Sequence, residues 1–177
     1  ATTATNGNNQ TAVSIARKTD GSSDSFTVTG RGNTITTLTT SDEETLTVAS
    51  NTAAQTITTL SAADLVTLNI TGDENVTITN ITNNTATTTY DASGSTGAVS
   101  VGNTANASAV AQTFTAGSGG LTATGGADAD TMTGAAGADS LTGGDGANSI
   151  TGAAGADTLV GGAGADVLSG GAGDDAI

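Results

Sequence analysis

The sequence lacks histidine, cysteine, proline and tryptophan, and aromatic residues make up only 2% of it. Without histidine or cysteine the chain has no imidazole base and no thiol nucleophile, and it contains no GxSxG motif, so we expect no enzymatic activity. A conventional globular core needs large apolar side chains to offset the conformational entropy lost on folding. Such side chains are few here, which favours thin coils stacked on one another.

Basic residues are equally scarce, with 3 against 17 acidic residues and a formal net charge of −14. This charge argues against binding of nucleic acid or anionic lipid and makes cations the natural partners. No apolar run approaches the roughly 18 residues of a membrane-spanning helix, and the first residues, ATTATNGNNQ, lack the basic and apolar parts of a signal peptide. We therefore expect no membrane insertion and no Sec-type signal.

A nine-residue unit recurs from Gly125 to the last residue. Its copies read GGADADTMT, GAAGADSLT, GGDGANSIT, GAAGADTLV, GGAGADVLS and GGAGDDAI. The sixth position holds Asp130, Asp139, Asn148, Asp157, Asp166 and Asp175, and the eighth holds Met132, Leu141, Ile150, Leu159, Leu168 and Ile177. Each copy predicts a glycine-rich turn followed by a short strand whose middle residue enters the core.

A looser period covers residues 26 to 115, where threonine flanks an apolar residue, mostly on both sides. The apolar centres are Val28, Ile35, Leu46, Ile57, Leu68 and Ile78. Successive side chains of a strand point to opposite faces, so we expect these centres to face inward and the threonines to face solvent. The spacing contracts from about eleven to nine residues, which predicts an all-β protein: one parallel β-solenoid whose coils shorten from about 22 to about 18 residues.

These patterns divide the chain into three parts. Residues 1–25 are predicted to be a capping or linker segment, residues 26–124 a threonine-rich solenoid, and residues 125–177 a roll built from the nonapeptides. A short helical turn is predicted at residues 61–65, because Ser61 can cap it and Asp64 follows three residues later.

The nonapeptide supplies the ligands that calcium prefers. Calcium takes about six to eight oxygen ligands, mixing carboxylates with backbone carbonyls. The glycines let the backbone direct carbonyls into a shared site, and the sixth-position aspartate adds negative charge. We predict Ca²⁺ as the cofactor, and as metal ligands Asp130, Asp139, Asn148, Asp157, Asp166 and Asp175. The acidic residues of upstream turns are predicted to be solvated, with further calcium sites as the alternative: Asp42, Glu43, Glu44, Asp73, Glu74 and Asp91.

These units, most clearly GGAGADVLS at residues 161–169, resemble the glycine-rich repeats of the repeats-in-toxin (RTX) family. The resemblance implies a right-handed parallel β-roll in which two repeats form one coil and calcium lies between turns stacked on the same edge. Alternate repeats then pair, so one column holds Asp130, Asn148 and Asp166 and the other Asp139, Asp157 and Asp175, with about four interior sites. Asn148 offers a neutral oxygen, and the two sites beside it are predicted to bind less tightly.

Metal-free folding of the roll is disfavoured. Its many glycines lose much conformational entropy, each nonapeptide buries a single medium-sized apolar side chain, and its carboxylates repel one another. We predict that the roll is disordered without calcium and folds on binding it. Ala135 and Ala153 replace second-position glycines, which is a mild departure from the repeat.

The stretches TTLSAADLVTLNITGDENVTITN at residues 58–80 and YDASGSTGAVSV at residues 90–101 resemble the solenoid of Caulobacter-type surface-layer proteins. This resemblance implies an extracellular protein, exported by a type I system to the cell surface. It further implies calcium-dependent self-association into a lattice or fibre, with a cell-surface polysaccharide as the candidate anchor.

Three hypotheses about function stay open from the sequence. The first is a calcium-dependent structural segment of a self-assembling surface protein. The second is a module of an RTX adhesin or matrix fibre, and the third is a secretion and folding module of an extracellular enzyme whose catalytic domain lies elsewhere. Regular rows of threonine also suggest the alternative of an ice-binding surface, although threonine is a common outward residue of strands.

Overall fold

The computed structural model describes residues 2–5, 10–16, 24–30, 32–41, 43–82, 86–102 and 110–177, and these residues form strands, turns and bends. The strands are, in chain order, β1 (Thr2–Thr5), β2 (Gln10–Ala16), β3 (Ser25–Thr29), β4 (Thr34–Ser41), β5 (Thr45–Ala49), β6 (Gln55–Ala62), β7 (Thr67–Gly72), β8 (Val76–Thr82), β9 (Thr89–Ser95), β10 (Val99–Val101), β11 (Thr113–Thr115), β12 (Leu121–Thr124), β13 (Thr131–Thr133), β14 (Ser140–Gly144), β15 (Ser149–Ala154), β16 (Thr158–Gly162) and β17 (Val167–Ala172).

Consecutive strands alternate between two sheets. The odd-numbered strands form a nine-stranded sheet and the even-numbered strands an eight-stranded sheet, each in chain order. All pairs between these strands are parallel. The chain therefore winds as a parallel β-solenoid with two strands per coil, which confirms the predicted all-β fold class.

The predicted apolar centres lie in the core between the sheets. Each is at most 2% exposed: Val28, Ile35, Leu46, Ile57, Leu68 and Ile78. In β5, buried Leu46 and Val48 alternate with the half-buried Thr45 and Thr47, as the period of two requires. Threonine occupies outward positions in both sheets, as its β-propensity leads us to expect.

Three strands of the eight-stranded sheet bury a further large side chain that the sequence period did not indicate. These residues are Leu38 in β4, Leu60 in β6 and Ile81 in β8. In β6, both Thr58 and Thr59 are only half-buried and separate Ile57 from Leu60, so the alternation is interrupted there. A search for strict alternation misses such a residue because it falls out of phase with the centre before it.

The helical turn predicted at residues 61–65 is wrong. Ser61 and Ala62 are the last residues of β6, and the chain bends at Ala63 and Asp64 instead of coiling. Ala62 and Leu65 are both fully buried, with no exposed surface. Burial of these two apolar side chains in the solenoid core therefore outweighs the local capping signal, which is a weak preference.

The predicted shortening of the coils is confirmed, and it begins before the nonapeptides. Paired residues lie 22 positions apart at Leu46, Leu68 and Tyr90 along the nine-stranded sheet. The separation is 24 between Tyr90 and Phe114, whose rings stack with centroids 4.4 Å apart, and falls to 18 between Phe114 and Met132. The short coil thus starts at β11, upstream of Gly125.

The described parts of residues 1–25 include strands of the same solenoid. β1 pairs with β3 and β2 pairs with β4, so each extends one of the two sheets at its start. The division of the chain into three parts stays a prediction. Among the described residues, no helix has the length and apolarity to cross a bilayer.

Candidate calcium-binding turns

The nonapeptide turns stack in two columns, one on each edge of the roll. We call turns 125–130, 143–148 and 161–166 the first column, and turns 134–139, 152–157 and 170–175 the second column. The strands that follow the turns pair 18 residues apart, for example Met132 with Ile150 and Leu141 with Leu159. Alternate repeats therefore stack on each other, as predicted.

Each later sixth-position side chain is hydrogen-bonded to the coil before it. Its Oδ1 atom accepts a hydrogen bond from the backbone N–H of the residue 18 positions earlier. Within the repeats the bonds run from Asp130 to Asn148 (2.9 Å), Asp139 to Asp157 (2.8 Å), Asn148 to Asp166 (2.9 Å) and Asp157 to Asp175 (3.0 Å). The structure therefore brings the six predicted ligands together as two ladders, one in each column.

These side chains are withdrawn from water. Asp130, Asp139, Asn148 and Asp157 are at most 2% exposed, and Asp166 and Asp175 are half-buried. Burial raises the pKa of the Asp130 and Asp139 carboxyls; backbone hydrogen bonds offset part of this rise, and the charges of Asp128 and Asp157, respectively, add to it. A buried carboxylate is costly unless N–H groups or a cation compensate it.

In the first two repeats, backbone N–H groups satisfy both carboxylate oxygens. Oδ1 accepts from the coil before, and Oδ2 accepts from the second residue of the same turn. The bonds run from Gln112 and Gly126 to Asp130, at 2.7 Å each, and from Leu121 and Ala135 to Asp139, at 2.6 and 3.0 Å. We call these two turns amide-closed, because the protein alone compensates each carboxylate.

Asn148, in the third repeat, is compensated by its own side chain. Its Oδ1 accepts the Asp130 N–H, while its Nδ2 donates to the carbonyl oxygens of Asp145 (3.1 Å) and Gly161 (3.4 Å). A donor faces the oxygen and two acceptors face the nitrogen, so the partners on both sides determine the orientation of the amide. The NH₂ group therefore bridges its own turn to the next turn of the first column.

Asp157, in the fourth repeat, has one uncompensated oxygen. Its Oδ1 accepts the Asp139 N–H, but its Oδ2 is buried and has no hydrogen-bond partner among the described residues. The second residue of this turn, Ala153, has a φ of 79° and is the one described non-glycine residue with a positive φ. Gly144, Gly162 and Gly171, at the same position of other late repeats, also have positive φ values. The late turns thus differ in backbone conformation from the amide-closed ones.

The first glycine of each turn marks where oxygens of neighbouring coils meet. A Cβ atom added at Gly152 would collide with both Asp157 Oδ2 and the carbonyl oxygen of Gly170. Both oxygens are acceptors, so neither can hydrogen-bond to the other. Glycine is required at this position because any side chain would occupy the point where the two oxygens converge.

This donor set fits calcium. Carboxylate and backbone carbonyl oxygens are the ligands that a hard cation takes, and the Asp157 turn presents one of each to the same point. In the part of the chain that the structure describes, no three His, Cys, Asp or Glu side chains gather to hold a metal. An ion here would therefore be held by single carboxylates and backbone carbonyls, and its charge would compensate the buried acceptors. The assignment of individual ligands stays a prediction.

Two sixth positions escaped the sequence analysis. Gln112 and Leu121 lie 18 residues before Asp130 and Asp139 and donate their N–H groups to them. Gln112 is 1% exposed, and its Nε2 donates to the Thr87 carbonyl oxygen at 3.4 Å. The nine-residue spacing continues upstream through AGSGGLTAT at residues 116–124, but this unit has no sixth-position acid, so a motif search stops at Gly125.

The acidic residues of the upstream turns behave unequally. Glu43 is only 1% exposed, so the prediction that it is solvated is wrong; it stands 22 residues before the buried Leu65, at an inward position of its coil. Asp73 is exposed, and Glu44, Glu74 and Asp91 are half-buried. Glu44 Oε2 accepts from the Asp24 N–H at 2.7 Å, and Asp91 Oδ1 from the Ser93 N–H at 2.9 Å. Asp42 lies outside the described residues.

Comparison with known proteins identifies the roll. The family model of the RTX calcium-binding nonapeptide repeat (4 copies) matches residues 124–159 and again residues 151–177. No curated protein and no solved structure matches the chain significantly. The fold and the turns define a calcium-binding β-roll that follows a parallel β-solenoid. Residues 124–177 are therefore similar to the RTX nonapeptide repeats, and such repeats bind calcium.

Proposed function

We propose that the chain is a calcium-dependent structural segment of a secreted, self-assembling bacterial protein of the surface-layer kind. It acts as a rod that calcium stiffens and that associates into a lattice or fibre. It has no catalytic role, and a cell-surface polysaccharide is the candidate anchor. Export through a type I system would deliver it to the cell surface.

One observation carries the structural part of this proposal. The threonine-rich coils and the RTX coils share the same two sheets without interruption, from β1 and β2 to β16 and β17. Each coil therefore rests directly on its neighbour, and the stack grows in one dimension as in other solenoids. Such a continuous rod, with regular ranks of threonine along both outer faces, suits a building element of an extended assembly.

Calcium availability supports an extracellular site of action. Extracellular calcium modules commonly bind with dissociation constants of about 10⁻⁴ to 10⁻³ M, well above the calcium concentration inside a cell. A roll of this affinity stays unfolded during export and folds outside. The net charge of −14 and the absence of cysteine are compatible with that environment.

Electron microscopy of the purified chain tests the proposal. The chain is imaged at equal concentration in millimolar calcium, in EGTA, and in magnesium, which needs stricter octahedral geometry and gives up its waters reluctantly. We expect ordered sheets or fibres in calcium alone. Dispersed particles in all three conditions would contradict self-assembly and favour the adhesin-module or secretion-module hypothesis.

A matched pair of variants shows whether assembly depends on the roll. Asp157→Asn changes a buried carboxylate of the roll, and Asp64→Asn makes the same chemical change at an exposed upstream turn. We expect Asp157→Asn to shift the calcium concentration needed for assembly and Asp64→Asn to leave it unchanged. Equal behaviour of the two variants would show that assembly does not require this calcium-binding turn.

A further inference from the structure

The four interior turns of the roll share one plan but have different hydrogen bonds. In each, the sixth-position side chain and the first carbonyl oxygen of the turn 18 residues later approach the first glycine of the turn. These glycines are Gly125, Gly134, Gly143 and Gly152, at which an added Cβ would meet that side-chain atom and that carbonyl oxygen. The turns differ in whether this side-chain atom is itself a donor, accepts from a donor, or has no donor beside it.

At Gly143 the atoms that meet are a donor and an acceptor. Asn148 Nδ2 and the Gly161 carbonyl oxygen each lie 2.5 Å from the Cβ position, and the amide donates to that carbonyl. It also donates to the Asp145 carbonyl of its own turn at 3.1 Å. The amide nitrogen therefore gives to both carbonyls the positive partner that an ion would give them.

At Gly152 the atoms that meet are two acceptors. Asp157 Oδ2 and the Gly170 carbonyl oxygen converge there, and the carboxylate oxygen is buried without a hydrogen-bond partner among the described residues. A buried carboxylate oxygen without a donor or a cation beside it is strongly unfavourable. This turn therefore has the strongest need for a cation.

The amide-closed turns stand between these extremes. The sequence GAAGAD occurs at residues 134–139 and again at residues 152–157. In the first copy the Ala135 N–H donates to Asp139 Oδ2 at 3.0 Å, whereas in the second copy Ala153 has a positive φ and Asp157 Oδ2 has no such bond. Calcium at the first copy competes with a backbone N–H for Asp139 Oδ2, and at the second copy no such bond competes for Asp157 Oδ2.

We propose that the interior sites are unequal: calcium binds first at the Asp157 turn, and the amide of Asn148 replaces the ion in its own turn. The roll therefore takes one ion fewer than its repeat count indicates, and its second column carries the tightest site. This inference rests on calcium binding by the repeats and is independent of lattice assembly.

Native mass spectrometry and calorimetric titration of the whole chain test it. Asn148→Asp replaces the amide donor with an acceptor and is expected to bind one more calcium ion per chain than the wild type. Asp157→Asn supplies an amide where the carboxylate was; it is expected to lose one ion, which is the tightest step of the titration. The double variant is expected to return to the wild-type count.

Controls separate these effects from changes in net charge. Asn51→Asp and Asp64→Asn alter exposed residues of upstream turns by the same chemistry and should leave the ion count unchanged. Hydrogen exchange of β15 to β17 in excess calcium reports whether each variant folds. An unfolded Asp157→Asn roll would overturn the claim that an amide replaces the ion, and an unchanged count for Asn148→Asp would overturn the proposal. A wild type that takes up no calcium would refute calcium binding itself, which lattice imaging alone would not reveal.

Discussion

The upstream coils and the roll differ in the side-chain hydrogen bonds that join their turns. Upstream, most of the side chains that bond across one coil donate, for example the Thr87 hydroxyl to the Leu65 carbonyl oxygen at 2.6 Å and Gln55 Nε2 to the Asn33 carbonyl oxygen at 2.7 Å. In the roll, aspartates accept, and at Asp157 an oxygen is left that only a cation or a new donor can compensate. The upstream donors therefore meet carbonyl acceptors of the protein itself, whereas the Asp157 turn of the roll lacks a partner for one of its acceptors.

The upstream coils also bury more large apolar side chains than the coils of the roll. The coil of residues 45–66 buries five large apolar side chains: Leu46, Val48, Ile57, Leu60 and Leu65. The coil of residues 131–148 buries two, Met132 and Leu141. Each buried side chain of this size contributes roughly 1.5–3 kcal/mol, so the shorter, glycine-rich coil gains far less from burial. Calcium therefore has more to supply in the roll than upstream.

Removal of calcium is expected to produce the largest difference between the roll and the upstream coils. In EGTA, amides of β13 to β17 should lose hydrogen-exchange protection, while amides of β4 to β8 should keep it, because only the roll depends on the ion. Mass spectrometry of deuterated peptic fragments measures both regions in one sample. Uniform loss along the chain would show that the upstream coils also require calcium, and uniform retention would show that the roll does not.

Two leucine truncations sharpen the same contrast. Leu60→Ala removes a fully buried upstream side chain and Leu159→Ala a 2% exposed one in the roll. Each should lower the free energy of unfolding of its own region by about 2–5 kcal/mol in calcium. In EGTA the decrease in free energy of unfolding caused by Leu60→Ala should persist. The decrease caused by Leu159→Ala should vanish, because the roll is then already unfolded. Urea titrations with region-resolved hydrogen exchange measure this; a Leu159→Ala effect that survives in EGTA would contradict it.

Spacing carried most of the prediction from sequence. The inward centres such as Ile57 and Leu68 follow from the period, because a period fixes which side of a strand a residue faces. The columns of the roll follow from the RTX resemblance, which pairs alternate repeats. Leu60 escaped because the alternation breaks at Thr58 and Thr59. Glu43 escaped because composition identifies a turn but does not show which of its residues turns inward.

The state of individual calcium turns could not be predicted in this way. The two GAAGAD copies have the same local sequence, so their different hydrogen bonds must arise from the turns stacked against them. Residues 134–139 lie between turns that end at Leu121 and Asp157, whereas residues 152–157 lie between turns that end at Asp139 and Asp175. Stacking brings these neighbours together from 18 residues away, beyond the reach of a local motif.

Thr87 provides a smaller test of the donor chemistry upstream. Thr87→Val keeps the size of this buried side chain but removes the hydroxyl that donates to the Leu65 carbonyl oxygen. The free energy of unfolding of the upstream coils should fall by about 1–3 kcal/mol, because a buried acceptor loses its donor. The decrease should be the same in calcium and in EGTA. Thr79→Val, at an exposed position, is the control and should change stability little. A calcium-dependent Thr87 effect would mean that the two regions are not independent.

The smallest expected effect is on stability, and it has opposite signs for glycine substitutions in the two GAAGAD turns. Ala153 has a φ of 79°, a conformation that costs a residue with a Cβ roughly 1–2 kcal/mol. Ala153→Gly removes this cost but gives the unfolded chain more conformational entropy, which opposes folding. The net effect should be to stabilise the calcium-loaded roll by about 0.5–1 kcal/mol. Ala135 has no positive φ and its N–H binds Asp139, so Ala135→Gly should destabilise the roll by about 0.4–1 kcal/mol. Urea midpoints in saturating calcium compare the two variants directly. A shift of the same sign in both would mean that the identical hexapeptides adopt one conformation once calcium is bound.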